Sequence, residues 1–298
     1  MAMGVAPFST AMNLTRRSLL SALPLAAVPS AFAAPTFKRA LRAVLLTDTH
    51  LPATGQNERV VRCLEQALKE KPDVILLGGD NVMNVVGNSE ADADAQFANF
   101  RGAVMDRLRG RTVLSVAGNH CLWEGKPDKA VAAYGMPSRY YRQDVRGWRL
   151  LMLDTFHGDG TCRVDDEQME WLKKETADTK SPILVLSHAP ILTVTSFIEK
   201  GVPKENGSFA IPTHWQTSNL QDLRDLFYDR PNVRLAISGH MHQIDRCDFD
   251  RVAYVCGGAV SGNWWNGDYY KFPPAYMVFD LENDGRFTQR TVFWESGK

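Results

Sequence analysis

Features that mark several large protein classes are scarce in this chain. Its five cysteines, Cys63, Cys121, Cys162, Cys247 and Cys256, are odd in number and include no Cys-x-x-Cys pair. That excludes a disulfide framework and a thiolate zinc site, leaving open only a Cys247 to Cys256 link across a hairpin turning near Asp250. Charge of one sign is also missing, since 34 basic residues balance 34 acidic ones without a long like-charge block. No nucleic-acid polymer is expected as partner, and a small substrate suits the composition better. Nor does any apolar run reach the roughly 20 residues of a membrane span. No Ser/Gly/Pro linker, low-complexity tract or internal repeat divides the chain.

What is present begins with Thr15-Arg16-Arg17-Ser18-Leu19-Leu20, which opens an apolar stretch through Val28 and then Ala31-Phe32-Ala33. This reads as a signal peptide, and its paired arginines resemble the twin-arginine export signal. Cleavage is expected after Ala33, because Pro35 obstructs the next position. Residues before Met12 carry no charge, which makes Met12 a second candidate start. The expected division is residues 1–33 as signal peptide and 34–298 as one domain, large enough for a substantial core. The export machinery becomes a partner, the destination is the periplasm of a bacterium, and no membrane span remains after cleavage.

Along the rest of the chain, short apolar runs alternate with helical periodicity. Strands are predicted at Ala43 to Leu46, Val74 to Leu77, Val113 to Val116, Leu150 to Leu153, Ile183 to Leu186 and Val233 to Ile237. Helices are predicted at 57–70, through Phe97, Phe100, Val104 and Leu108, near Ala130, at 166–176 and at 222–228. The class is α/β with a largely buried sheet. After His242, period-two strands at Val252 to Cys256, Ala275 to Leu281 and Phe287 to Phe293 suggest a second antiparallel sheet or an extension. The long stretch from Thr193 to Ser218, holding His214 and Trp215, reads as irregular, a lid or pocket wall.

The residues that end the apolar runs carry the chemistry. Leu46 leads to Asp48-Thr49-His50, Leu77 to Gly79-Asp80-Asn81, Val116 to Gly118-Asn119-His120, Leu186 to His188-Ala189-Pro190, and Ile237 to Gly239-His240-Met241-His242. Strand carboxyl ends in α/β sheets face one crevice, so the five loops can converge. His240 and His242 can share a face and one metal, or bend apart at Gly239 toward two; the same pair also suits hydrogen-bonded histidines.

These blocks, D-x-H, G-D, G-N-H, H before A-P and G-H-x-H in this order, resemble the calcineurin-like metallophosphoesterase superfamily. The resemblance implies two packed mixed β-sheets flanked by helices, with the metal site at strand C-terminal ends. It implies two metal ions: Asp48, His50 and His242 on the first, Asn119, His188 and His240 on the second, and Asp80 bridging both. Mixed nitrogen and oxygen donors suit zinc, manganese or iron. No tyrosine stands among Asn81, Val82, Met83 and Asn84, unlike the purple acid phosphatase branch. The implied activity is hydrolysis of a small phosphate ester by a metal-bridging hydroxide, with His120 as the catalytic residue that stabilises or protonates the departing group. Cys121 departs from the acidic residue that many members carry after that histidine.

A looser block, Leu153-Asp154-Thr155 with Gln168 to Leu172 and Ser187 to Pro190, resembles the phosphodiesterase branch, which includes cyclic nucleotide and glycerophosphodiester hydrolases. A phosphodiesterase is therefore expected; a phosphomonoesterase or nucleotidase, a silent metal- or phosphate-binding protein and a Cys121 hydrolase are the alternatives. His157, Trp264 and Trp265 are candidate substrate contacts at the pocket mouth, and packing beneath the loop is the plainer role for the tryptophans.

Overall fold

Parallel strands buried on both faces need apolar residues at nearly every position, and β1 (Leu41–Leu46), buried throughout except at half-buried Arg42, meets that need. The computed structural model describes residues 38–295. The proposed signal peptide lies outside them. After β1 come α1 (Asn57–Lys69), β2 (Val74–Leu77), α2 (Glu90–Ala103), β3 (Val113–Ser115), α3 (Asp128–Tyr134), β4 (Tyr141–Val145), β5 (Trp148–Met152), α4 (Asp166–Glu175) and β6 (Ile183–Leu186). Then follow α5 (Thr195–Lys200), β7 (Val202–Pro203), β8 (Phe209–Ala210), α6 (Leu220–Tyr228), β9 (Val233–Ser238), β10 (Ile244–Phe249), β11 (Val252–Gly257), β12 (Ala275–Leu281) and β13 (Phe287–Phe293).

Two mixed sheets carry the fold, in the orders β13-β12-β1-β2-β3 and β10-β11-β9-β6-β5-β4, beside a small β7-β8 ribbon. Alternation along each strand divides the core into layers. Leu150 and Met152 point with Leu184, Leu186, Leu235 and Ile237 toward the first sheet. Their neighbours Leu151, Val185 and Val233 pack on Met169 and Leu172 of α4 and on Leu223 and Phe227 of α6. The other side of the first sheet is covered by Val60 and Leu64 of α1 and by Phe97 and Phe100 of α2. Asp165 caps α4 by accepting from Gln168 N at 2.8 Å, a bond typically worth about 1 kcal/mol. Among the described residues no helix is long and apolar enough to cross a membrane.

The two packed mixed sheets flanked by helices are those expected. Of the last strands, β12 and β13 form the expected antiparallel extension, β12 pairing with β1 and β13 with β12 in the first sheet, whereas β11 departs from it and runs parallel to β9 in the second. The stretch from Thr193 to Ser218 is not irregular throughout, because it holds α5 and the β7-β8 ribbon. The hairpin near Asp250 exists, but its register sets Cys247 opposite Tyr254 and Cys256 opposite Asp245. All five cysteines are free thiols, so the Cys247 to Cys256 link is corrected.

Candidate metal centre

Each proposed ligand stands within four residues after a strand of β1, β2, β3, β6 or β9. The first two loops are laced together by backbone bonds, Asp48 N to Gly79 O at 3.0 Å, His50 N to Asp80 O at 2.9 Å and Leu51 N to Asn81 O at 3.0 Å. That lacing holds conformations most side chains avoid. Asp48, His50, Asp80, His240 and His242 have φ between 45 and 71°, the left-handed region, where strain is tolerated when surroundings over-determine the backbone. Gly118 and Gly239 are needed for a different reason. A Cβ on Gly118 would overlap Asp80 Oδ1, and one on Gly239 would overlap Thr47 Oγ1 and Asp48 Oδ2.

The looser sequence block positions His188. Gln168 of α4 clamps the loop after β5, accepting from Asp154 N at 2.9 Å and donating to Asp154 O at 2.7 Å. Thr155 Oγ1 next accepts from Ala189 N at 3.1 Å, fixing the residue after His188.

The side chains converge in three overlapping groups, Asp48 with His50 and His242, His50 with Asp80 and His120, and Asp80 with His188 and His240, whose candidate ligand atoms lie within 4.8 Å of one another. Asp48 is oriented by Thr47 Oγ1 at 2.6 Å and by His240 N. Asp80 Oδ1 accepts from His120 N at 2.8 Å, which leaves Oδ2 3.1 Å from His188 Nε2 and 3.9 Å from both His50 Nε2 and His120 Nε2.

These donors fit divalent cations. The Nδ1 atoms of His50 and His242 face the carbonyls of Met83 and Gly262 at 3.3 and 2.6 Å. An N–H donated there leaves a lone pair on each Nε2, yet the two Nε2 atoms are 3.0 Å apart. A cation between them resolves that opposition. His188 turns Nδ1 to Gly78 O at 2.8 Å, and His240 turns Nε2 to His214 O at 2.8 Å, which frees His240 Nδ1 for a ligand. Asn119 Oδ1 is buried without a hydrogen-bond partner.

Burial, reinforced by the charge of His242, pushes His50 down to about 3. Burial and the charge of His188 do the same to His240, to about 3. Both rings are therefore neutral, the form that ligates. Burial alone would lower His188 and raise Asp80, but their mutual attraction outweighs it, so His188 stands at about 9 and Asp80 well below the carboxylate range. Burial likewise opposes ionisation of Asp48, and the hydrogen bond and charge of His242 overcome it.

The chain matches the calcineurin-like phosphoesterase family over residues 41–244. It belongs to that family. This phosphoesterase is thus a metal-dependent hydrolase of phosphate esters. It is 27% identical over 266 residues to a “Probable cyclic nucleotide phosphodiesterase” of Synechococcus sp. strain PCC 6301, covering 84% of this chain and 90% of that protein. A protein of the same description from Synechococcus sp. strain WH7803 is 23% identical, over 86% of this chain and 97% of its own. A dimetal phosphatase from Danio rerio shares the fold with a TM-score of 0.59 at 12% identity, covering 87% of this chain and all of that one.

Around the ligands, the phosphoesterase parts the candidate tryptophans. Trp264 is half-buried and tilts over His242 at 4.3 Å and His50 at 5.4 Å between ring centroids. Trp265 is buried and donates to His50 O at 2.9 Å beneath Arg59. It supports the loop and has no free face for substrate, a correction to its expected role. His157 lines a cavity of about 590 Å³ with Asn119 and His240. Cys121 is fully buried, with Sγ 3.3 Å from Tyr134 Oη, and burial pushes its thiol up to about 11. A thiolate nucleophile there is excluded. Met83, Phe156 and Glu199 escaped the sequence reading. Met83 acts through its carbonyl, which leaves no trace in a residue pattern. Phe156, packed 5.0 Å from His240, reads as an ordinary core aromatic. Glu199 accepts from Tyr269 Oη at 2.8 Å across 70 residues, a pairing with no local signal.

Proposed function

We propose that the protein is an exported phosphodiesterase for small organic phosphodiesters, with Asp48, His50 and His242 holding one divalent ion, Asn119, His188 and His240 a second, and Asp80 shared. The observation that carries this reading is the approach of His50 Nε2 and His242 Nε2 to 3.0 Å of each other beside Asp80. The preference for diesters is supported by two relatives described as cyclic nucleotide phosphodiesterases along most of the chain. Bound ions would supply Lewis acidity, polarising phosphoryl oxygens and lowering the pKa of water.

The chain's own groups do the rest. Asp48 and Asp80 stay ionised, and the laced loops keep them from reorganising as charge develops. His120 donates from Nδ1 to Met83 O at 2.9 Å and keeps its ring partly open, 26% exposed, so protonated Nε2 can deliver a proton to the departing alkoxide. Cys121 does not share that task, since its sulfur turns to Tyr134 and the Met83 carbonyl orients the imidazole instead. Export rests on the Arg16-Arg17 signal, and R16K/R17K together should retain the protein in the cytoplasm.

Metal analysis with hydrolysis of bis(p-nitrophenyl) phosphate and p-nitrophenyl phosphate, before and after chelation, tests the proposal. About two ions per chain and chelator-sensitive diester cleavage are expected, the stoichiometry of a two-metal site. Preference for the monoester would move the reading to a phosphomonoesterase. Turnover that survives both chelation and Asp80→Ala would overturn it.

A further inference from the structure

The cavity beside Asn119 and His240, about 590 Å³, is too large for a phosphoryl group alone. Its apolar wall is Val86, Leu122, Phe156 and Trp215, and close-packed glycine backbone at Gly125 and Gly158 closes one side. Among the described residues no lysine or arginine lines it, and Asp159 is its one ionised carboxylate. Lys200 comes near, 4.3 Å above the Trp215 ring and paired with Glu199 at 2.5 Å, but it is not among the lining residues. Trp215 is in turn set against His240, with ring centroids 5.3 Å apart. A pocket that binds an anionic arm supplies lysine or arginine; this one supplies aromatic faces, the imidazoles of His157, His214 and His240, and a carboxylate.

We propose that this cavity seats an uncharged aromatic ester arm, with Trp215 as its stacking platform, and that it rejects arms bearing a second anionic group. The inference rests on the phosphodiesterase reading and names the substrate class within it: diesters of a neutral aryl or base-like alcohol, not polyphosphorylated compounds.

Competitive inhibition by non-hydrolysable phosphonates on the metal-loaded protein tests it, with bis(p-nitrophenyl) phosphate as substrate. Phenylphosphonate should bind about tenfold more tightly than methylphosphonate, the scale of one good aromatic contact plus burial. The 4-carboxyphenyl compound should lose that advantage. Trp215→Ala should shrink the phenyl-to-methyl ratio to about twofold. Val86→Lys, placed where the native side chain is 52% exposed and folding is least disturbed, should recover binding of the carboxyphenyl compound. Equal inhibition by phenyl- and methylphosphonate would overturn the proposal, as would a ratio unmoved by Trp215→Ala in folded protein or a carboxylate tolerated by the native chain. Turnover of p-nitrophenyl phosphate alone would sink the diester reading instead, and the inhibitor ratios measured against that monoester would still decide the cavity.

Discussion

At the floor of the site, ligands stand within four residues of strand ends, in loops laced by main-chain bonds; at its walls, Glu199, Lys200, Trp215 and Trp264 ride on long excursions between strands. The floor is buried and rigid because neighbouring loops hydrogen-bond as strands do. The walls touch through side chains, as in Tyr269 on Glu199 and Lys200 over Trp215, and α5 and the ribbon carry exposed Phe197, Ile198 and Phe209. Chemistry belongs to the first construction and choice of substrate to the second. Changes at the floor should therefore abolish reaction, and changes at the walls should redistribute it among substrates.

Asp80→Ala should have the largest effect, lowering kcat/KM for bis(p-nitrophenyl) phosphate by about 10³-fold or more, the scale of several kcal/mol of lost Lewis-acid stabilisation. Metal analysis of the same sample should show ions lost, and unchanged content would break the assignment of Asp80 to the floor. His120→Ala should cost about 10²- to 10⁴-fold in kcat with metal retained, and burst-free steady-state kinetics on the same ester would measure it. Gly239→Ala, whose methyl would overlap Thr47 and Asp48, should destabilise the fold by about 1–3 kcal/mol in urea titration. An unshifted midpoint would mean the floor yields more easily than its bonding suggests. On the wall, Tyr269→Phe removes one hydrogen bond to Glu199; about 1 kcal/mol of stability should go, with kcat/KM for the generic diester changed less than about threefold. Smallest of all, iodoacetamide at pH 8 should leave activity intact. With Cys121 pushed up to about 11, only about one thiol in a thousand is ionised there, and the less buried Cys247 should be the first site labelled by mass spectrometry.

The floor was legible in the sequence because a strand end is a local signal: an apolar run, then a ligand. Ile183–Leu186, Ala275–Leu281 and Phe287–Phe293 match their predicted bounds for the same reason. β4 was missed because it is a sheet edge whose exposed positions carry Arg142, Gln143 and Asp144, a polar pattern that reads as loop, and β10, another polar edge, was legible only as one arm of the hairpin near Asp250. The sheet that β12 and β13 join is set by pairing with β1, more than 200 residues earlier, which periodicity cannot report. Trp264 and Trp265 were inseparable in sequence. Both have positive φ, 46 and 72°, and that backbone turn sends one ring over His242 and the other into the core.

The Met83 carbonyl receives both His50 Nδ1 and His120 Nδ1, and its two lone pairs are thereby committed. Its own peptide is pinned on either side, by Met83 N to Leu51 O at 2.9 Å and by Gln96 of α2 bonding Asn84 N and O at 3.0 and 2.8 Å. A descendant of this chain could not re-aim the proton donor toward a new leaving group without also tilting His50. Inheritance of new substrate ranges is thereby channelled away from the histidines, toward the excursions around Trp215 and Trp264, where a substitution can be tried without disturbing the ancestral reaction.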